Sequence, residues 1–131
     1  MNVEQPVRSF RDLKVWNRSI ELCISVYEFT QSFPNDELYG LRNQLRRASV
    51  SVSSNIAEGR GRRSTGEFIQ FLGIARGSNN EVQTQLEIAN RLGFGTPPTL
   101  AICLDQSTEV AKMLTSLINS LSQPKPAALK P

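Results

Sequence analysis

The chain has no histidine. The side chain that most often acts as a general base near neutral pH is therefore absent. There are only two cysteines, Cys23 and Cys103, 80 residues apart. That spacing makes neither a metal knuckle nor a disulfide framework, so both are expected as reduced core residues. No apolar run approaches the roughly 18 residues that a membrane span needs. The opening MNVEQPVRSF lacks the apolar centre of a signal peptide, and the chain reads as cytoplasmic. Serines are plentiful, but no GxSxG elbow and no SxxK pair occurs. The carboxylates are scattered, with no ExxH ligand set. GRGRRSTG lacks the GK[ST] ending and the preceding strand of a phosphate loop. These absences point away from an enzyme, a metal and a cofactor.

What is present is one globular domain. The length of 131 residues suits a single core, and 39% hydrophobic residues are enough to build it. The net charge of +3 is too small to assign a nucleic-acid partner by itself. Its distribution says more. Seven arginines fall between Arg42 and Arg76 against Glu58 and Glu67, a local net of +5. Arginine favours two-point contact with phosphate or carboxylate, where lysine acts as a point charge.

Hydrophobic spacing predicts four helices and no strand. The first covers about 10–32, where Pro34 ends it. At about 100° per residue, Leu13, Trp16, Ile20, Cys23, Ile24 and Tyr27 make its inward stripe. Val15, Leu22, Val26 and Phe29 lie nearly opposite. The second helix covers about 35–58, with Leu38, Leu41, Leu45, Ala48, Val52 and Ile56 inward and Tyr39, Val50 and Ala57 across from them. Gly59 and Gly61 break the chain. Ser64 and Glu67 then form a capping box for a third helix to about 92. Gly93 suits its C-terminal stop and Pro98 the first turn of a fourth helix, to about 121. An up-down-up-down four-helix bundle over 10–122 follows, with a loose arm at 1–9 and a Pro-rich tail at 123–131. Helices 1 and 2 each carry apolar residues on two faces, which predicts an oligomer with Leu22, Val26 and Phe29 at the subunit contact. Phe29→Glu would then weaken assembly more than folding.

The arginines of YGLRNQLRRASVSVSSNIAEGRGRRSTGEF divide into two groups. Arg42 and Arg46, with Ser49 and Ser53, line one edge of helix 2, and Arg47 lies on the other edge. Arg60, Arg62 and Arg63 crowd the loop that opens helix 3, about 27 Å from Arg42 at about 1.5 Å per residue. Clustered guanidinium groups, small hydroxyls and free N–H groups at a helix start suit phosphate. Solvated arginines that pair with acids of another helix or subunit are the plainer alternative. No aromatic residues interleave with the patch, which argues against base stacking. Asn79 falls on the helix 3 core stripe and Asn55 at the edge of the helix 2 stripe. Both are expected to be buried in structural hydrogen bonds. Gly73 and Gly77, four apart, would allow a close helix approach.

FRDLKVWNRSIEL at 10–22, YGLRNQLRRASVSVSSNIAEGRGR at 39–62 and EFIQFLGIARGS at 67–78 resemble the bacterial four-helix-bundle family of 23S rRNA-intervening-sequence, or S23-like, proteins. The resemblance places Asp12, Trp16, Tyr39, Gly40, Leu41, Gln44, Arg46, Arg47, Ser54, Asn55, Glu58, Gly59 and Phe71 at motif positions. It departs at Ser53, where members often carry proline, and at Asn79, where they often carry leucine. The resemblance implies a cytosolic homopentamer. Such genes often lie inside intervening sequences of large-subunit rRNA genes. The chain is also similar to accessory proteins of diversity-generating retroelements, which associate with a reverse transcriptase and nucleic acid. The expected function is a non-enzymatic, oligomeric accessory protein that contacts RNA or DNA phosphates. The alternative is a protein-interaction scaffold, for example a reverse-transcriptase partner.

Overall fold

The structure, a computed structural model, describes residues 9–37 and 40–124. The arm at 1–8, Leu38 and Tyr39, and the tail at 125–131 lie outside the described residues. Four helices make the fold: α1 Lys14–Thr30, α2 Leu41–Arg60, α3 Thr65–Leu92 and α4 Pro97–Ser122. No strand occurs among the described residues. Each helix packs on its neighbour in sequence, and α1 closes against α4.

The first two helices start later than their apolar spacing suggests. Ser9 spends its hydroxyl on a separate 3-10 turn, Phe10–Asp12, by accepting the Arg11 N–H at 3.2 Å. Leu13 is then extended, so α1 begins at Lys14. A second 3-10 turn, Asn35–Glu37, precedes α2. Glu37 Oε2 accepts the Leu41 N–H at 2.9 Å and caps the start of α2. The third helix starts as its sequence indicates. Ser64 accepts the Glu67 N–H at 3.1 Å, and its hydroxyl donates to the Glu67 carboxylate at 3.3 Å. At the far end Gly93 is left-handed at φ 75°, and Phe94 N–H returns to the Ala89 carbonyl at 2.9 Å.

Helix α1 corrects the sequence reading. Leu22, Val26 and Phe29, expected at a subunit contact, are fully buried inside the chain's own core, joined by Val15 and Phe33. Of the stripe expected inward, Ile24 is 55% exposed and Tyr27 41%, Ile20 and Cys23 are half-buried, and Leu13 and Trp16 pack on the margin of the core. The reason is the hydroxyl residues. Ser19 and Thr30 are buried on the true inner face, which a count of apolar residues scores as polar. Inside a helix they satisfy themselves. Ser19 Oγ donates to the Trp16 carbonyl at 2.6 Å, and Thr30 Oγ1 to the Val26 carbonyl at 2.8 Å. Ser49 and Ser53 are buried in the same way on α2, donating to the Arg46 and Val50 carbonyls, whereas the buried Ser78 and Ser107 meet side chains of other helices. With Ser53 in place of proline, α2 runs unbroken from Leu41 to Arg60.

Gly59 is the position of close helix approach. A Cβ there would lie 2.6 Å from Phe71 Cβ, so the last turn of α2 sits directly on α3. Gly73 and Gly77 have no such neighbour within the chain: a Cβ on either meets nothing within 4 Å.

Asn79 is fully buried and joins α3 to α4. Its Nδ2 donates to the Ser107 carbonyl at 2.9 Å, and Ser107 Oγ donates back to Asn79 Oδ1 at 2.8 Å. Every polar atom of the amide oxygen and hydroxyl pair thus has a partner where water does not reach. Asn79→Leu is expected to cost about 1–3 kcal/mol in urea unfolding, because it leaves the Ser107 hydroxyl without its acceptor. Adding Ser107→Ala should recover part of that loss.

Both cysteines are free thiols. Cys103 is buried, whereas Cys23 is half-buried under the Ser49 hydroxyl at 3.4 Å. Burial, and then the charge of Glu28, push the Cys103 thiol up to about 12. In the native protein at pH 8, a thiol reagent is expected to label Cys23 first and Cys103 only on unfolding. The raised folded value also means that stability from the neutral thiol is complete below the ordinary value of 9.0. It should fall as pH climbs from there towards 12.

Candidate nucleic-acid interface

The six candidate arginines divide by what holds them. Arg46 reaches across from α2 to the end of α1. Its Nε donates to Thr30 Oγ1 at 2.8 Å and its Nη2 to the Tyr27 carbonyl at 3.3 Å. The guanidinium lies over the Tyr27 ring at 4.4 Å. Burial, and then the neighbouring Arg42, lower its pKa. Arg42 is half-buried, and its Nε is buried without a partner. These two therefore belong to the α1–α2 seam and are not a free phosphate patch. Arg47 is exposed on the other edge of α2, in a polar groove with Asn43, Gln44, Ser51 and Ser78.

Asn55 borders that groove. It is half-buried rather than mostly buried. Its Nδ2 donates to the Ser51 carbonyl at 2.8 Å and to Ser51 Oγ at 3.0 Å. Ser51 Oγ in turn meets Ser78 Oγ at 2.9 Å, so the amide reaches α3 only through a serine of its own helix.

The second group sits at the α2–α3 turn. Arg60 closes α2 and is half-buried, while Arg62 and Arg63 are exposed. Arg62 pairs with Glu58 one turn back, and its guanidinium lies over Phe71 at 4.8 Å. That fixes its direction without removing it from solvent, since its side chain stays 41% exposed. Surface pairs of this kind contribute little stability. Behind them, α3 begins with the exposed residues Ser64, Thr65 and Gly66. Glu67 occupies the same first turn and its carboxylate is tied to the Ser64 hydroxyl.

The fold adds two cations that lie outside the arginine-rich stretch. The Phe10–Asp12 turn packs against α2. The antiparallel run of α1 and α2, seen in the pairs Thr30–Arg46 and Cys23–Ser49, puts the start of α1 beside the end of α2. Arg11 and Lys14, both exposed, thus stand at the same end of the bundle as Arg62 and Arg63. The signal for this was the up-down topology, which brings residues some 50 apart to one end. Lys14 also flanks an apolar groove with Lys112, lined by Leu13, Val15, Met113 and Leu117.

Among the described residues no three of His, Cys, Asp and Glu are grouped to hold a metal, and no helix is long and apolar enough to cross a membrane.

The family profile of the 23S rRNA-intervening sequence protein matches residues 11–116. The chain belongs to the 23S rRNA-intervening sequence protein family. A crystal structure of a protein of unknown function from the S23 ribosomal protein family, from Bacteroides thetaiotaomicron, is similar to it at 28% identity and a TM-score of 0.71. The match covers 80% of this chain and 95% of that one. No curated protein matches the chain. Several residues of the stretches that carry the resemblance have distinct tasks in this fold. Gly59 and Phe71 form the tight α2–α3 approach, Arg46 ties α2 to α1, and Glu58 orients Arg62.

Proposed function

We propose that this family member is a non-enzymatic accessory protein that binds RNA or DNA phosphates through the basic end of its bundle, as a homopentamer. The observation that carries the reading is the gathering of Arg11, Lys14, Arg62 and Arg63, with Arg60, around the α2–α3 turn. A family name that refers to 23S rRNA supports the choice of RNA as the first nucleic acid to test. Each protomer offers a modest number of phosphate contacts, and a ring would repeat them, so that weak sites add through multivalency. Phosphate contacts carry no sequence information, so binding is expected to be largely independent of sequence.

The competing reading is a protein scaffold whose arginines pair with acids of a partner. Competition separates the two. Complexes with structured RNA or duplex DNA should resist an excess of polyglutamate of equal charge. Equal displacement by polyglutamate would favour the scaffold.

A further inference from the structure

Helix α4 outruns α1, and the difference opens a groove beside the basic end. The ion pair Arg18–Glu109, at 3.1 Å, sets the register of these two antiparallel helices. One turn back from Arg18, α1 begins at Lys14, level with Lys112 and Met113. There the chain before α1 turns away, while α4 runs on to Ser122. Leu13 is extended, and the Phe10–Asp12 turn packs on α2 and not on α4. A groove of about 430 Å³ remains, with Leu13, Met113 and Leu117 among its apolar walls. Lys14 stands on one side and Lys112 on the other, both exposed, and Ser116 adds a hydroxyl. Among the described residues no carboxylate lines the groove, and neither lysine belongs to an ion pair.

The lining decides the kind of occupant. Two uncompensated cations call for negative charge at the rims, and the walls between them call for an apolar face. A nucleic-acid strand with an unpaired base carries both, phosphate on each side and the base between. Lys14 also belongs to the basic end, so a strand held there by its phosphates passes the mouth of the groove. We infer that the groove takes an unpaired base of the bound strand, with the flanking phosphates at Lys14 and Lys112. The inference rests on phosphate binding at the basic end and narrows its ligand to strands with loops, bulges or free ends. An uninterrupted duplex keeps its bases stacked inside and has none to offer. Leucine side chains and the Met113 thioether supply the contact that the arginine-rich stretch, lacking aromatic residues, does not. Methionine sulfur packs favourably against ring systems. The one hydroxyl, of Ser116, suits any base edge, so the groove should accept all four bases.

The test titrates the full chain with two single-stranded oligonucleotides of equal length and charge. One is oligothymidine, and the other carries abasic residues at its centre. The parent should bind the first about fivefold more tightly, near the low end of what one stacked base contributes. The two salt slopes should be equal, because the phosphates are the same. Met113→Gln makes the wall polar without adding charge. It should abolish the preference and leave the salt slope unchanged. The comparison in the parent needs no variant, so it stands even if Met113→Gln folds poorly. Equal affinities with steep salt slopes overturn the groove and leave phosphate binding in place. Affinities that do not respond to salt overturn phosphate binding, and the groove with it. A preference that persists in folded Met113→Gln puts the base elsewhere and also overturns the inference. Equal affinities, joined to binding of an acidic leucine-rich peptide by the parent but not by Met113→Gln, would give the groove to a protein partner instead.

Discussion

Phe29→Glu is expected to unfold the protein, not merely to separate its copies. The Phe29 ring is fully buried. It packs edge-on to Phe33 at 5.1 Å between centroids, and Phe33 in turn meets Phe94 at 5.4 Å. The same ring fills the space beside Gly95 so closely that no Cβ would fit there. Removing a buried phenylalanine side chain costs about 3–5 kcal/mol. An unpaired carboxylate in its place adds a desolvation cost of at least a few kcal/mol, or else takes up a proton. The sum approaches the whole stability of a small domain, about 5–15 kcal/mol. Circular dichroism during urea titration checks this: the cooperative transition should be lost or moved close to zero denaturant. A variant that stays folded and only assembles less would restore the subunit-contact reading of this face.

Much of the fold was legible because its signals are local. Ser64 with Glu67, Gly93, and the proline pair at 97 and 98 act on their own helix ends, and they fall at the boundaries of α3 and α4. The helix count followed from the 3.6-residue spacing. The inner face of α1 did not. Two apolar stripes lay almost opposite each other, and the buried one was interrupted by Ser19, Ser25 and Thr30. Helical serine and threonine hide their hydroxyls on nearby carbonyls, so a polar letter there does not mark a wet face. Asn79 was recognisable as a core position, yet its partner Ser107 was not, because the match depends on the α3–α4 register.

The candidate site was half legible. The arginine-rich stretch pooled two environments. Arg46 is held by Thr30 and Tyr27, and Arg42 lies beside it. Arg62 and Arg63 are exposed at the far end of the helix. Only the packed bundle brings Arg11 and Lys14 to that end.

Changing Arg11, Lys14, Arg62 and Arg63 together to alanine is expected to reduce nucleic-acid affinity strongly while leaving the fold intact. All four are exposed, and surface changes usually cost within about 0.5 kcal/mol each. The small loss from the Arg62–Glu58 pair and the Arg62–Phe71 stacking belongs to that range. Binding should suffer far more. Each phosphate contact releases counterions, so it contributes about one unit to the slope of log affinity against log salt. Four lost contacts in one protomer correspond to up to about four units, and a ring that binds through several protomers would lose more. Arg46 serves as the contrast. Arg46→Lys would loosen the α1–α2 seam and lower stability, with little change in the salt slope.

The salt slope itself is the most direct measurement. Structured RNA is titrated with the parent and with the four-alanine variant at several salt concentrations from about 50 to 200 mM, the range over which phosphate contacts alter affinity by orders of magnitude. A steep slope for the parent and a slope flatter by several units for the folded variant would place the phosphates at the basic end. Equal affinities and equal slopes for the two proteins would contradict it.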